Sequence, residues 1–130
     1  GCSQAVFAAF SDQIGVHAET AERVAAGFVG GMGRTGETCG AITGAFMALG
    51  AKYGGTDAAS KNKTCELVRE FQLRFNARHG AILCKQLLDC DISTPEGRAR
   101  AAEDGLFKSI CPKLVRDAAD ILQELLSEEK

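Results

Sequence analysis

No C-x-x-C pair occurs in this 130-residue chain, although six of its residues are cysteine. That absence excludes the usual zinc-ribbon and thioredoxin signatures, the bacterial ferredoxin run and C-x-x-C-H haem attachment. Any cysteine site must therefore be assembled in three dimensions from separate parts of the chain. Proline is scarce, at two residues, and β-branched runs are few. Both features favour an all-helical reading. No apolar run approaches the ~20 residues needed to cross a bilayer, so no membrane span is expected. Neither sign of charge dominates: the formal net charge is -2. This gives no electrostatic case for nucleic acid or an anionic membrane as partner. The chain opens at Gly1-Cys2 without a methionine, and no signal peptide is visible. A cytoplasmic location is the expectation. The length suits one domain over residues 1–130 with its own core.

Glycine, by contrast, is abundant and concentrated. Ten of the fifteen glycines fall between Gly27 and Gly55. The first half of this stretch holds Gly27, Gly30, Gly31, Gly33 and Gly36, which can adopt positive φ or admit another backbone. From Glu37 the pattern becomes helical, with Cys39, Ile42, Phe46 and Leu49 on one face. Gly40 and Gly44 lie inside that helix, each costing about 1 kcal/mol relative to alanine. Their presence there suggests close approach by another element or a bound group.

The periodicity predicts a compact bundle of five to seven helices with a glycine-rich loop before the central one. The first helix is read from about Cys2 to Gln13 and the second from about Ala18 to Phe28. The third runs from about Glu37 to Leu49 with Thr35 as N-cap candidate. A fourth runs from Ser60 to His79 and stops at Gly80, with Leu67, Val68, Phe71 and Phe75 on its core face. A short fifth helix covers about Ala81 to Leu88. Thr94-Pro95-Glu96 reads as an N-cap, a proline at the first helical position and an acidic first turn. The last helix runs from Cys111-Pro112 to about Ser127, with Leu114, Ala118, Ile121, Leu122 and Leu125 facing inward. One continuous core and no strands are expected.

Placed on these helices at about 100° per residue, Cys2, Cys39, Cys84 and Cys111 all point inward from four different helices. Cys65 lies at the edge of its stripe and Cys90 in a turn. Buried free cysteine often acts only as a small hydrophobe. Cys39 and Cys111, however, sit at helix starts, where thiolate is favoured and the cysteine pKa falls. Four thiolates converging between helices could complete a tetrahedral metal site or an iron–sulfur cluster. Glycines around Cys39 would leave room and N–H donors for sulfur.

Cys2, the Cys39-Gly40-Ala41-x-x-Gly44 motif, Cys84 and Cys111 together resemble the C_GCAxxG_C_C family of redox-active proteins. Cys2-Ser3-Gln4-Ala5-Val6, Gly30-Gly31-Met32-Gly33, Thr35-Gly36-Glu37-Thr38 and Cys111-Pro112 fit as well, so the resemblance covers essentially the whole chain. It implies a redox-active helical protein and no particular substrate. It also implies a helical stretch ahead of Cys2, whose removal would expose apolar surface and promote a homodimer. The family is similar in turn to the helical, cluster-carrying part of split-Soret cytochromes. The C-x-x-C-H segments of those proteins are missing here, so no haem is implied.

Three function classes stand side by side. The first is a redox protein holding an iron–sulfur cluster, or zinc as the lesser alternative, through Cys2, Cys39, Cys84 and Cys111, and passing electrons to a redox partner protein. The second is a thiol–disulfide protein with Cys39 and Cys111 as the reactive pair and Cys39 as nucleophile. The third is a structural or partner-binding helical domain with inert thiols. The loop from Gly30 to Gly36 is similar to a phosphate-binding loop, and its glycines with Arg34 could hold an anion. It follows no strand and ends in no Gly-Lys-Ser/Thr, so the P-loop and dinucleotide readings fail, and close packing is the plainer account. His17, Glu37 and His79 read as ordinary helix-end residues.

Overall fold

The computed structural model describes residues 1–129. These form α1 (Cys2–Ala9), α2 (Ser11–Ile14), α3 (Ala18–Ala25), a 3-10 turn (Ala26–Phe28), α4 (Gly40–Tyr53), α5 (Ala58–His79), α6 (Cys84–Leu87), α7 (Pro95–Glu103), α8 (Leu106–Ser109) and α9 (Cys111–Glu128). The architecture is all-α. Six of these helices have eight residues or more, within the expected five to seven, and α2, α6 and α8 are single turns. No helix of the described residues is long and apolar enough to cross a membrane.

Several boundaries differ from the sequence reading, each for a local reason. The first helix breaks at Phe10, whose backbone leaves the helical range (φ -102°, ψ 9°) while its ring stays buried. The second tightens into the 3-10 turn after Ala25. α4 starts at Gly40 rather than Glu37 because the preceding residues are held extended. Thr38 pairs with Leu83 in an isolated antiparallel bridge, flanked by Cys39 N–H donating to Ile82 C=O and Cys84 N–H donating to Glu37 C=O. Thr35 is therefore not a helix cap: its hydroxyl donates to Gly31 and Met32 carbonyls within the loop. α5 begins earlier than expected because Asp57 is its cap, accepting from Ser60 N–H at 3.0 Å. Gly80 ends it in the left-handed conformation, and Thr94 caps α7 as the sequence suggested.

α4 is apolar around most of its circumference, so it belongs at the centre. Ala41, Ile42, Ala45, Ala48 and Leu49 are fully buried. They pack with Val6 and Phe7 of α1, Phe71 and Phe75 of α5, and Ala118, Ile121 and Leu122 of α9. Phe71 meets Phe46 edge-to-face at 5.9 Å and stacks with Phe75 at 6.1 Å. A second, smaller cluster holds Cys84, Leu88, Cys90, Ile92 and Ala101. The single continuous core expected from sequence is thus two clusters, with Ile110 packed against both.

The tightest contact lies between α1 and α4. A β-carbon at Gly44 would stand 2.7 Å from Ser3 C=O, and one at Gly40 would stand 2.9 Å from Ser3 N. The two glycines, four residues apart on one face, let the α1 backbone lie directly on α4. Ser3 completes the junction by donating its hydroxyl to Ala25 C=O at 2.9 Å, which ties in the end of α3.

Gly44→Ala is expected to destabilise the fold by about 1–3 kcal/mol, because backbone must shift to admit the methyl. Gly50→Ala, in the same helix but with open space at its β-carbon, is expected to stabilise by up to about 1 kcal/mol. Urea unfolding of both variants measures the contrast; equal effects would mean that the α1–α4 approach is not the constraint.

Candidate functional site

Four cysteines stand at the starts of four different helices. Cys2 opens α1, Cys39 is the N-cap residue of α4, Cys84 opens α6, and Cys111 opens α9 ahead of Pro112. All four line one cavity of about 830 Å³. The starts of α1, α4 and α9 bring the positive end of a helix dipole to this cavity, whereas the first N–H groups of single-turn α6 are taken up by backbone carbonyls.

Local backbone fixes these positions. The bridge between residues 37–39 and 82–84 sets Cys39 beside Cys84, with hydrogen bonds of 2.8 and 2.6 Å on either side. Gly31 allows Cys84 to approach: a β-carbon at Gly31 would stand 2.7 Å from that of Cys84. Gly40 does the same for Cys2, at 3.3 Å. The loop between reaches this shape through five successive residues of positive φ, Gly30 to Arg34. Met32 and Arg34 adopt that conformation at about 1–2 kcal/mol each, the cost of a β-carbon in the left-handed region. The three glycines carry no such cost.

Electrostatically, the four thiols differ. Cys2 and Cys111 are hydrogen-bonded to each other through their sulfurs; this holds Cys2 below the ordinary thiol range and pushes Cys111 above it. Burial pushes Cys39 up to about 12, although the amides of Ala41 and Ile42 at the helix start pull the other way. Burial likewise pushes Cys84 up to about 11, and a negative charge on Cys2 adds to it. The lowered pKa expected at Cys39 and Cys111 is therefore reversed. Cys39 is only 3% exposed, and desolvation outweighs the helix-start effect. The thiol poised to ionise is Cys2, whose helix-start position the sequence showed but whose partner it did not.

Cys65 is exposed on α5, away from the cavity. Cys90 is buried in the second cluster, its sulfur 3.4 Å from Gly97 C=O. His17 is exposed at the start of α3, and Glu37 pairs across 3.6 Å with Lys85. His79 stacks on Phe75 with Asp117 Oδ2 2.8 Å from Nε2, and so joins α5 to α9. Among the described residues no three His, Cys, Asp or Glu side chains stand close enough together to hold a single metal ion. The cavity walls also carry Arg34, Arg98 and Arg116. Of these, the sequence singled out only Arg34; the other two lie on α7 and α9 with no signal that would have placed them here.

A family model described as "Putative redox-active protein (C_GCAxxG_C_C)" matches residues 1–125. The chain belongs to this family. No curated protein and no solved structure matches it.

Two pH effects follow from the thiols. In reduced, metal-free protein, Cys2 should be alkylated by iodoacetamide at lower pH than the other cavity thiols. Cys111→Ala removes the hydrogen bond that favours its thiolate, so the Cys2 profile should move to higher pH, read by peptide mass spectrometry. Cys39 is raised from the ordinary 9.0 to about 12 in the fold. Its contribution to stability is complete below the unfolded-state value and lost as pH rises toward the folded one. Stability should fall across that window, and less steeply in Cys39→Ala; identical pH curves for the two proteins would rule out this coupling.

Proposed function

We propose that Cys2, Cys39, Cys84 and Cys111 hold an iron–sulfur cluster and that the protein exchanges single electrons with a partner protein. The observation that carries this reading is the convergence of four helix starts, each bearing one of these cysteines, on one cavity. The donor set suits it: four thiols are the common ligand set of iron–sulfur clusters. The surroundings suit it too. A cluster bound by thiolates is anionic, and the cavity offers helix N-termini, arginines and no carboxylate. Bound there, the cluster would supply one-electron chemistry. Zinc fits less well, because Zn–S distances of about 2.3 Å demand sulfurs gathered around one point, and no such gathering is present. A cationic centre would also offset the burial that holds Cys39 and Cys84 protonated.

A second reading has its own support. The sulfur–sulfur hydrogen bond between Cys2 and Cys111 suits a dithiol that closes to a disulfide, with Cys2 attacking as thiolate and Cys111 as its partner. This differs from the Cys39–Cys111 pair that the sequence suggested. Closing that bond releases two electrons and two protons to an external disulfide.

Anaerobic incubation of reduced protein with ferrous iron and sulfide tests the first reading. Brown protein with broad visible absorption, iron and acid-labile sulfide is expected. Cys39→Ser should abolish or alter the spectrum, and Cys65→Ser should leave it unchanged. Protein that stays colourless removes the cluster. Mild oxidation by a small disulfide then decides the second reading: a Cys2–Cys111 cross-link by peptide mass supports it, and failure to form one ends it.

A further inference from the structure

We infer that the cavity lined by the four cysteines is, in the metal-free protein, a binding site for a small organic anion, a molecule with an apolar body and a carboxylate, sulfonate or phosphate head. This goes beyond the redox reading, which names no small molecule, and it does not require a cluster.

Size is the first ground. At about 830 Å³ the cavity falls in the range of small-molecule pockets, roughly 300–1,000 Å³. Its walls include Val29, Leu88, Ile92, Phe107 and Val115, and Phe107 is 38% exposed. An exposed phenylalanine beside a hollow of hydrocarbon is surface waiting for an apolar partner.

Charge is the second. Arg34, Arg98 and Arg116 line the cavity, and no Asp or Glu does. The chain as a whole is net negative, so this is a local reversal of sign. Arg74, Arg78 and Arg100 each lie within ion-pair distance of carboxylates, whereas none of the three cavity arginines does so among the described residues. Three guanidinium groups with no carboxylate partner bring positive potential to the space that they line, more strongly at half-buried Arg98 than at exposed Arg34 and Arg116. The planar fork of arginine matches carboxylate and phosphate oxygens in pairs.

The third ground is that two of the arginines are held in place. Arg98 donates from Nη1 to Ile92 C=O at 3.1 Å, which anchors a half-buried guanidinium and leaves its other N–H groups free. Arg34 takes positive φ, with its N–H bonded to Val29 C=O at 2.9 Å. A β-carbon at Gly30 would stand 2.8 Å from Arg34 Cγ. The absence of a side chain at Gly30 is what lets Arg34 fold over the loop beside the cavity. A hollow with apolar walls, lined also by half-buried Arg98 and exposed Arg34 and Arg116, suits a small molecule with an apolar body and a charged head.

The test uses reduced, metal-free protein, so failure to build a cluster would not affect it. The probes are 8-anilinonaphthalene-1-sulfonate and its uncharged relative N-phenyl-1-naphthylamine, followed by fluorescence. One sulfonate dye per chain should bind, at least about tenfold tighter than the neutral dye, as expected of charge-assisted hydrogen bonds. Combined Arg34→Gln and Arg116→Gln, both exposed positions, should weaken the sulfonate dye about tenfold and leave the neutral one nearly unchanged. Arg98→Gln serves as a second variant, with circular dichroism reporting that each is folded. Bound sulfonate dye should also slow alkylation of Cys2, which locates it in this cavity. Phenyl phosphate and benzoate then compete, and whichever displaces the dye better identifies the preferred head group. Equal affinity for the two dyes, unchanged binding in the variants, an unprotected Cys2, or a dye that neither competitor displaces would each overturn the proposal.

Discussion

The contact of α1 with α4 is the constraint on which the site depends. Gly40 and Gly44 admit the backbone of Ser3 to distances that no side chain would allow. Each glycine costs about 1 kcal/mol of helix propensity. The return is a crossing close enough to bring Cys2 to the edge of the helix that Cys39 caps. Ser3 then fixes the crossing through its buried bond to Ala25. The Cys39-Gly40-Ala41-x-x-Gly44 pattern thus has a mechanical meaning: one residue supplies sulfur, and the glycines supply the approach that brings a second sulfur to it. Alanine at Gly44 would press on Ser3 and Val6 and so displace Cys2 from Cys39 without touching either cysteine.

Two opposing electrostatic effects meet at the cavity. Helix starts favour negative charge, and burial disfavours it. For Cys39 and Cys84 burial prevails, and both thiols stay protonated well above neutral pH. For Cys2 a hydrogen bond from Cys111 tips the outcome the other way. Pairing therefore decides ionisation here more than helix position does. The same balance shows what a positive centre would do. It would remove the desolvation cost that helix dipoles alone do not overcome, and it would do so for all four sulfurs at once.

Much of this was readable in the chain, and the exceptions share a cause. The six longer helices, the Gly80 and Thr94 signals and the inward faces of α4, α5 and α9 follow from local periodicity and capping, which depend on residues close in sequence. The meeting of Cys2, Cys39, Cys84 and Cys111 was reachable because each lay on an apolar face or at a helix start. What escaped was non-local. The Thr38–Leu83 bridge joins segments with no alternating pattern, and it delayed α4 to Gly40. The raised pKa of Cys39 depends on how many atoms surround it, which helix position does not reveal. Arg98 and Arg116 reach the cavity only through the packing of α7 and α9.

The four cysteines fall into two pairs of different mechanical character. Cys39 and Cys84 are 3% and 8% exposed, and adjacent backbone hydrogen bonds lock them side by side. Neither can move without breaking the bridge between residues 37–39 and 82–84. Cys2 and Cys111 are half-buried and open separate helices, α1 and α9, which pack into the same core. The site therefore has a more enclosed side and a more open side, and the open side is where solvent reaches. The thiol held below the ordinary range, Cys2, is accordingly found on the more open side.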